Sequence, residues 1–164
     1  MIYDKRMKNI KKILLPIDGS TPSMKAARYG ISLAMKLRSD LVGLMVIDLM
    51  SLPYGYFLNQ SGTRSKVDVL EEKRRESKKW LEEVERSILD LLKETKDIKG
   101  KFRSEILEDP FSKVENAIIK YAENENVDLI VMGSKGRSGF KRTLLGSVAS
   151  AVLSYARCPV LVVR

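Results

Sequence analysis

Apolar residues along this chain fall into two alternating patterns. Short continuous blocks mark buried strands, and longer stretches with apolar residues every three or four positions mark helices with one covered face. The block Ile13 to Ile17, in "KKILLPIDG", is stopped by Pro16, Asp18 and Gly19 and predicts a short buried strand. Thr21 and Pro22 read as a helix cap and first helical position, and Met24, Ala27, Ile31, Ala34 and Met35 follow at helical spacing. "DLVGLMVID" is a second strand. From Leu49 to Lys66 the period lapses around Pro53, Gly55 and Gly62, which predicts a long loop, an insertion over 50–66. A long helix is expected from Val67, with Leu70, Ser77, Leu81, Val84, Ile88, Leu91 and Leu92 on one side and a solvated charged face on the other. "KFRSEILED" alternates as a third strand, and Asp109 with Pro110 opens a helix whose buried stripe is Phe111, Val114, Ile118 and Ala122. "DLIVMG" is a fourth strand, "GSVASAVLSYA" a last helix and "PVLVV" a fifth strand.

Strands that alternate with helices argue for an α/β fold: a doubly wound, five-stranded parallel sheet with helices on both faces. At 164 residues the chain is expected to form a single domain over 1–164. In such sheets a ligand sits beyond the carboxyl ends of the strands, where the winding reverses.

Composition narrows the chemistry. One cysteine, Cys158, makes no internal disulfide, and the charged start "MIYDKRMKNIKK" has no apolar signal core behind it. No apolar run approaches the roughly 20 residues that span a bilayer, so no membrane role is expected and a reducing cytoplasm is. With no histidine and one cysteine, a zinc site and a histidine-based triad are excluded. The formal charge is +9, and its distribution matters more than its sum. Residues 71–86 balance six acids against six bases, whereas Met1–Lys12 and Lys135–Arg142 together hold eight of the nine excess charges. The first is a basic tail, which usually does nothing specific.

The second lies in "GSKGRSGFKRTLLGS", Gly133 to Ser147, between the fourth strand and the last helix. Gly133 and Gly136 let backbone approach a ligand, and Gly146 with Ser147 opens a helix whose free amides and positive dipole end favour an anion. Phosphate fits such a loop, with the interleaved lysines and arginines raising the local potential. The commoner phosphate motifs, GxxxxGK[ST] and GxGxxG, are absent. A valine at Gly133 or Gly136 is expected to abolish ligand binding and leave the fold intact. Asp18, at the end of the first strand, has three open readings: a ribose hydroxyl, a divalent ion, or the cap of the next helix.

The glycine pattern Gly133, Gly136, Gly146, Ser147, the opening "ILLPIDGS", the strand "MVID" and the ending "CPVLVV" resemble the ATP-binding type of the universal stress protein family over nearly the whole chain. The resemblance implies strand order 3-2-1-4-5 and a homodimer, with ATP, or alternatively AMP or ADP, at the reversal between the first and fourth strands. It places Pro16, Ile17 and Asp18 near adenine and ribose, and Val46 beside the base. Met132, Gly133, Ser134, Lys135, Gly136, Arg137, Ser138 and Gly139 would wrap ribose and phosphates, and Gly146, Ser147, Val148 and Ala149 would meet the phosphates; Mg or Mn would be carried through the phosphates. Lys135 stands where many relatives have histidine, and Glu108 where a glycine often precedes the third helix.

These implications favour a nucleotide sensor or switch in a stress response, with hydrolysis absent, slow or dependent on a protein partner. An ATPase would need a base to activate water, for which Asp18 is the one candidate on a predicted site strand. A nucleic-acid binder driven by charge lacks a motif and interleaved aromatics. The dimer is expected through the final strand, Pro159–Val163, an apolar edge that one two-fold contact would cover.

Overall fold

The computed structural model describes residues 9–48, 66–94, 100–109, 112–136 and 145–164. Its elements alternate as β1 Lys12–Pro16, α1 Thr21–Leu37, β2 Asp40–Ile47, α2 Lys66–Glu94, β3 Phe102–Glu108, α3 Val114–Asn124, β4 Leu129–Gly133, α4 Ser147–Tyr155 and β5 Val160–Val163. The strands form one five-stranded sheet in the order β3-β2-β1-β4-β5. Every pairing is parallel, with β1 between β2 (Ile13 opposite Leu41) and β4 (Ile13 opposite Leu129). Both the class and the strand order match the sequence reading.

Side-chain alternation along β1 explains why it is apolar throughout. Ile13, Leu15 and Ile17 point into a cluster shared with α1 and α2, while Leu14 points into a second cluster with Ile118 of α3 and Val152 of α4. A strand covered on both faces has no polar side to offer, so period two disappears from its sequence. On α2 the buried positions are Val69, Ser77, Leu81, Val84 and Ile88; Leu70 is only half-buried, and the side chains of Leu91 and Leu92 lie outside the described residues.

Two helix starts differ from expectation. The cap of α1 is Ser20, not Thr21: its backbone is extended and its Oγ accepts the Ser23 N–H at 3.3 Å, so Thr21 is already helical. The third helix starts at Val114 with Lys113 as cap, later than the Asp109–Pro110 pair suggested, and Pro110 and Phe111 lie outside the described residues. So do the 49–65 stretch, which holds most of the predicted insertion, and Arg137, Ser138 and Gly139.

At the amino ends of the strands, Arg103 of β3 pairs with Glu125 beyond α3, and Lys12 of β1 reaches the same carboxylate at 3.3 Å. Arg103 first, then Lys12, holds the Glu125 carboxyl below its ordinary range, while burial pushes the neighbouring Tyr121 hydroxyl up to about 12. This network ties the end of the sheet remote from the strand carboxyl ends. Among the described residues no helix is long and apolar enough to cross a membrane.

Candidate functional site

A cavity of about 420 Å³ opens at the carboxyl ends of β1, β2 and β4, where the sheet order reverses. Pro16, Ile17 and Asp18 line it from β1, Val46 from β2, Met132, Gly133, Lys135 and Gly136 from β4 and its exit, and Gly146, Ser147, Val148 and Ala149 from the start of α4. The fold thus brings together twelve of the predicted site residues. Ser134 does not line the cavity. It is buried, its N–H donates to the Val163 carbonyl at 2.8 Å, and its carbonyl accepts the Gly146 N–H at 2.8 Å. That bond brings the exit of β4 against the entrance of α4.

The start of α4 lines this cavity with amides that the helix itself does not use. Its cap residue is Gly146, no side chain caps it, and its first turn carries no acid. The first intrahelical bond runs from the Ser150 N–H to the Gly146 carbonyl at 2.9 Å, which leaves the amides of Ser147, Val148 and Ala149 without a partner inside the helix. Together with the helix dipole they favour an anion at this end. Lys135 adds positive charge on the same wall.

Asp18 lines the same cavity. Its Oδ1 accepts both the Ser20 N–H at 2.9 Å and the Ser20 hydroxyl at 2.6 Å, so Asp18 supports the cap residue and is not itself the cap. Gly19, between them, has φ of 77°. Gly136 lies against Asp18, since a Cβ built there would lie 2.8 Å from Oδ2.

Gly133 has a different reason to be glycine. A Cβ there would lie 2.7 Å from the Pro22 carbonyl carbon and 2.8 Å from the Ser23 nitrogen, both backbone atoms of the first turn of α1. The sequence reading assigned this glycine to the ligand alone, whereas the packing of β4 on α1 already requires it.

The sequence reading also missed α2. Lys73, Glu76 and Ser77 line the cavity, with Lys73 Nζ 3.1 Å from Glu76 Oε2, and Val114 and Ile118 of α3 form the apolar wall facing them. A lysine and a glutamate three apart look the same on a solvated helix face as on a cavity rim. The one available signal was Ser77, a polar residue on the buried stripe. Arg74 anchors this part of α2 to the end of β3, Nε 2.5 Å from Glu108 Oε1 and Nη2 2.8 Å from Oε2. The guanidinium holds the Glu108 carboxyl below its ordinary range. Cys158 lies away from the cavity lining, and burial raises its thiol.

A family model described as the universal stress protein family matches residues 9–164. The chain belongs to this family. A universal stress protein of Methanocaldococcus jannaschii is 34% identical over 154 residues, 94% of this chain and 82% of that protein. Among solved structures, the universal stress protein UspA from Lactobacillus plantarum superimposes with a TM-score of 0.71 at 24% identity, covering 95% of this chain and 99% of that one. Two further members share the fold at lower identity. One is a universal stress protein solved in complex with cAMP (TM-score 0.63, 17% identity, 95% of this chain and 98% of that one). The other is from Archaeoglobus fulgidus, solved in complex with dAMP (TM-score 0.59, 16% identity, 95% and 99%).

Proposed function

We propose that this protein binds an adenine nucleotide, ATP in the first place with ADP and AMP as alternatives, and acts in the cytoplasm as a nucleotide-dependent sensor or switch in a stress response. The observation that carries the reading is the start of α4, which opens without a side-chain cap into the cavity at the β1/β4 reversal. The cavity matches a nucleotide in chemistry as well as place: anion-seeking amides at one end, apolar Val46, Val114 and Ile118 toward the other, and a carboxylate between. The cAMP and dAMP complexes of two family members support the same ligand class. In this reading Pro16, Ile17, Asp18 and Val46 take the adenosine, Met132 and the 133–139 stretch, apart from the buried Ser134, wrap ribose and phosphates, and Gly146 to Ala149 hold the phosphates. Among the described residues no group of three or more His, Cys, Asp or Glu could hold a metal ion, so Mg or Mn would be carried through the phosphates.

Hydrolysis is expected to be absent, slow or dependent on a partner, because Asp18 Oδ1 already accepts two hydrogen bonds from Ser20, and Glu76, which lines the cavity with Asp48, is paired with Lys73 at 3.1 Å. Calorimetric titration with ATP, ADP and AMP, beside a nucleic-acid shift assay, tests the reading. Saturable nucleotide binding without a shift is expected, and turnover with Mg far below the roughly 10 per second of a median enzyme. A shift without nucleotide binding would transfer the reading to nucleic acid, and fast Asp18-dependent turnover to an ATPase.

The same reading includes a homodimer through Pro159–Val163. Strand β5 is a sheet edge, and Leu161 on it is 40% exposed while Leu153 and Tyr155 of α4 are 51% and 73% exposed. A symmetric contact would cover such an edge and its apolar side chains. Leu161→Asp is the cleaner test than a change at Val162, which packs against the core cluster under α3 and α4. Light scattering is expected to give a dimer for the parent and a monomer for the variant; a monomeric parent overturns the proposal.

A further inference from the structure

Trp80, the single tryptophan of the chain, lies on α2 and packs against the core that α1 and α2 share. Its indole also covers Gly19: a Cβ built on that glycine would lie 2.4 Å from Nε1 and 2.5 Å from Cε2. Gly19 adopts a φ of 77°, a conformation that glycine reaches without strain, and the ring occupies the space a side chain would need. The turn braced in this way carries Asp18, which lines the cavity, with one oxygen held by Ser20 and the other close to Gly136. Trp80 is not among the residues that line the cavity.

We propose that Trp80 is a positioning residue, which touches no ligand and holds the Gly19 turn so that the Asp18 carboxylate meets a ribose hydroxyl. This inference rests on the nucleotide reading above. The choice of hydroxyl follows from charge: a carboxylate repels phosphate, whose place is at the amides of α4, and the donors nearest the phosphates in a nucleotide are those of the sugar. The choice of Trp80 follows from entropy. A glycine turn loses more conformational freedom on ordering than any other, and an aromatic ring that orders it before the ligand arrives removes that cost from binding.

The experiment measures affinity for ATP and for 2′,3′-dideoxy-ATP by calorimetry in the parent, Trp80→Leu and Trp80→Phe, with thermal unfolding of each. Trp80→Leu is expected to weaken ATP about tenfold and the dideoxy analogue less than about twofold, because the analogue lacks the hydroxyls through which the bracing acts. Trp80→Phe keeps a ring over Gly19 and is expected to lose roughly threefold on ATP alone. Should the leucine variant not unfold cooperatively, the phenylalanine variant carries the same contrast. Equal losses for both nucleotides, or no loss for either, overturn the inference and leave the nucleotide reading in place. A parent that binds neither nucleotide overturns the nucleotide reading itself, and that result is seen before any variant is compared.

Discussion

Gly133→Val is expected to destabilise the whole fold, and loss of ligand binding will follow from that. The first atom of a side chain there meets the Pro22 carbonyl carbon at 2.7 Å, its oxygen at 2.8 Å and the Ser23 nitrogen at 2.8 Å. These are backbone atoms of the first turn of α1, and they cannot rotate aside as a side-chain tip would. Relief requires α1 to move off β4, which would disturb the core beneath, where Ala26, Ala27 and Ile31 are buried against the sheet. Overpacking a core typically costs about 1–3 kcal/mol, and a branched residue against fixed backbone belongs at or above the upper end. For a domain of this size about 3 kcal/mol lowers the melting temperature by roughly 10 °C. Circular dichroism melts of parent and variant give the answer, and a melting temperature within about 2 °C of the parent, inside the range of an ordinary surface change, would show that β4 and α1 do not pack as described. The expectation from sequence, that this variant keeps its fold and loses only its ligand, is replaced on these grounds.

Gly136→Val is expected to do the reverse. Gly136 is exposed, and among the described residues the one atom that a Cβ there would crowd is Asp18 Oδ2, at 2.8 Å. Asp18 is held by Ser20, so the new side chain would crowd Oδ2 and press the carboxylate out of the position proposed for ligand contact. The cooperative core is untouched, and the melting temperature is expected to stay within about 2 °C of the parent, as for surface substitutions elsewhere. Affinity for ATP is expected to fall about 100-fold, near 2.7 kcal/mol, since both a backbone approach and a carboxylate contact are lost together. Calorimetry and a thermal melt on the same preparation distinguish the two glycine variants. Wild-type affinity in a folded Gly136→Val protein would remove the 133–139 stretch from the site.

The contrast between these glycines marks where the sequence stopped being informative. Strand and helix order was legible because burial on both faces strips polar residues from "ILLPI" and "DLIVMG", while one-sided burial leaves a stripe on α1 and α2. The glycine that opens α4 was legible too, because a glycine opening a helix after a buried strand is a local feature. Helix starts were misplaced by one and four residues: at Ser20 because its neighbour Thr21 satisfies the same capping preference, and at Lys113 because this cap makes no side-chain bond and so leaves no capping residue to read.

By itself, the sequence of this family member determined the class of fold, the order of strands and helices along the chain, and the glycine-rich stretch that leads into the last helix. Each of these follows from residues close together in the chain, through periodicity, turn chemistry and local charge. The tertiary structure alone decided which partner each residue faces. It set Gly133 against the backbone of Pro22, 111 positions away by residue number, and Gly136 against Asp18. It turned the Lys73–Glu76 edge of α2 toward the cavity and laid Trp80 over Gly19. A hydrophobic period states that a residue is covered, and it carries no information about what covers it. Contacts between residues far apart in sequence arise only once the sheet order has placed β1 beside β4 and α2 above β2.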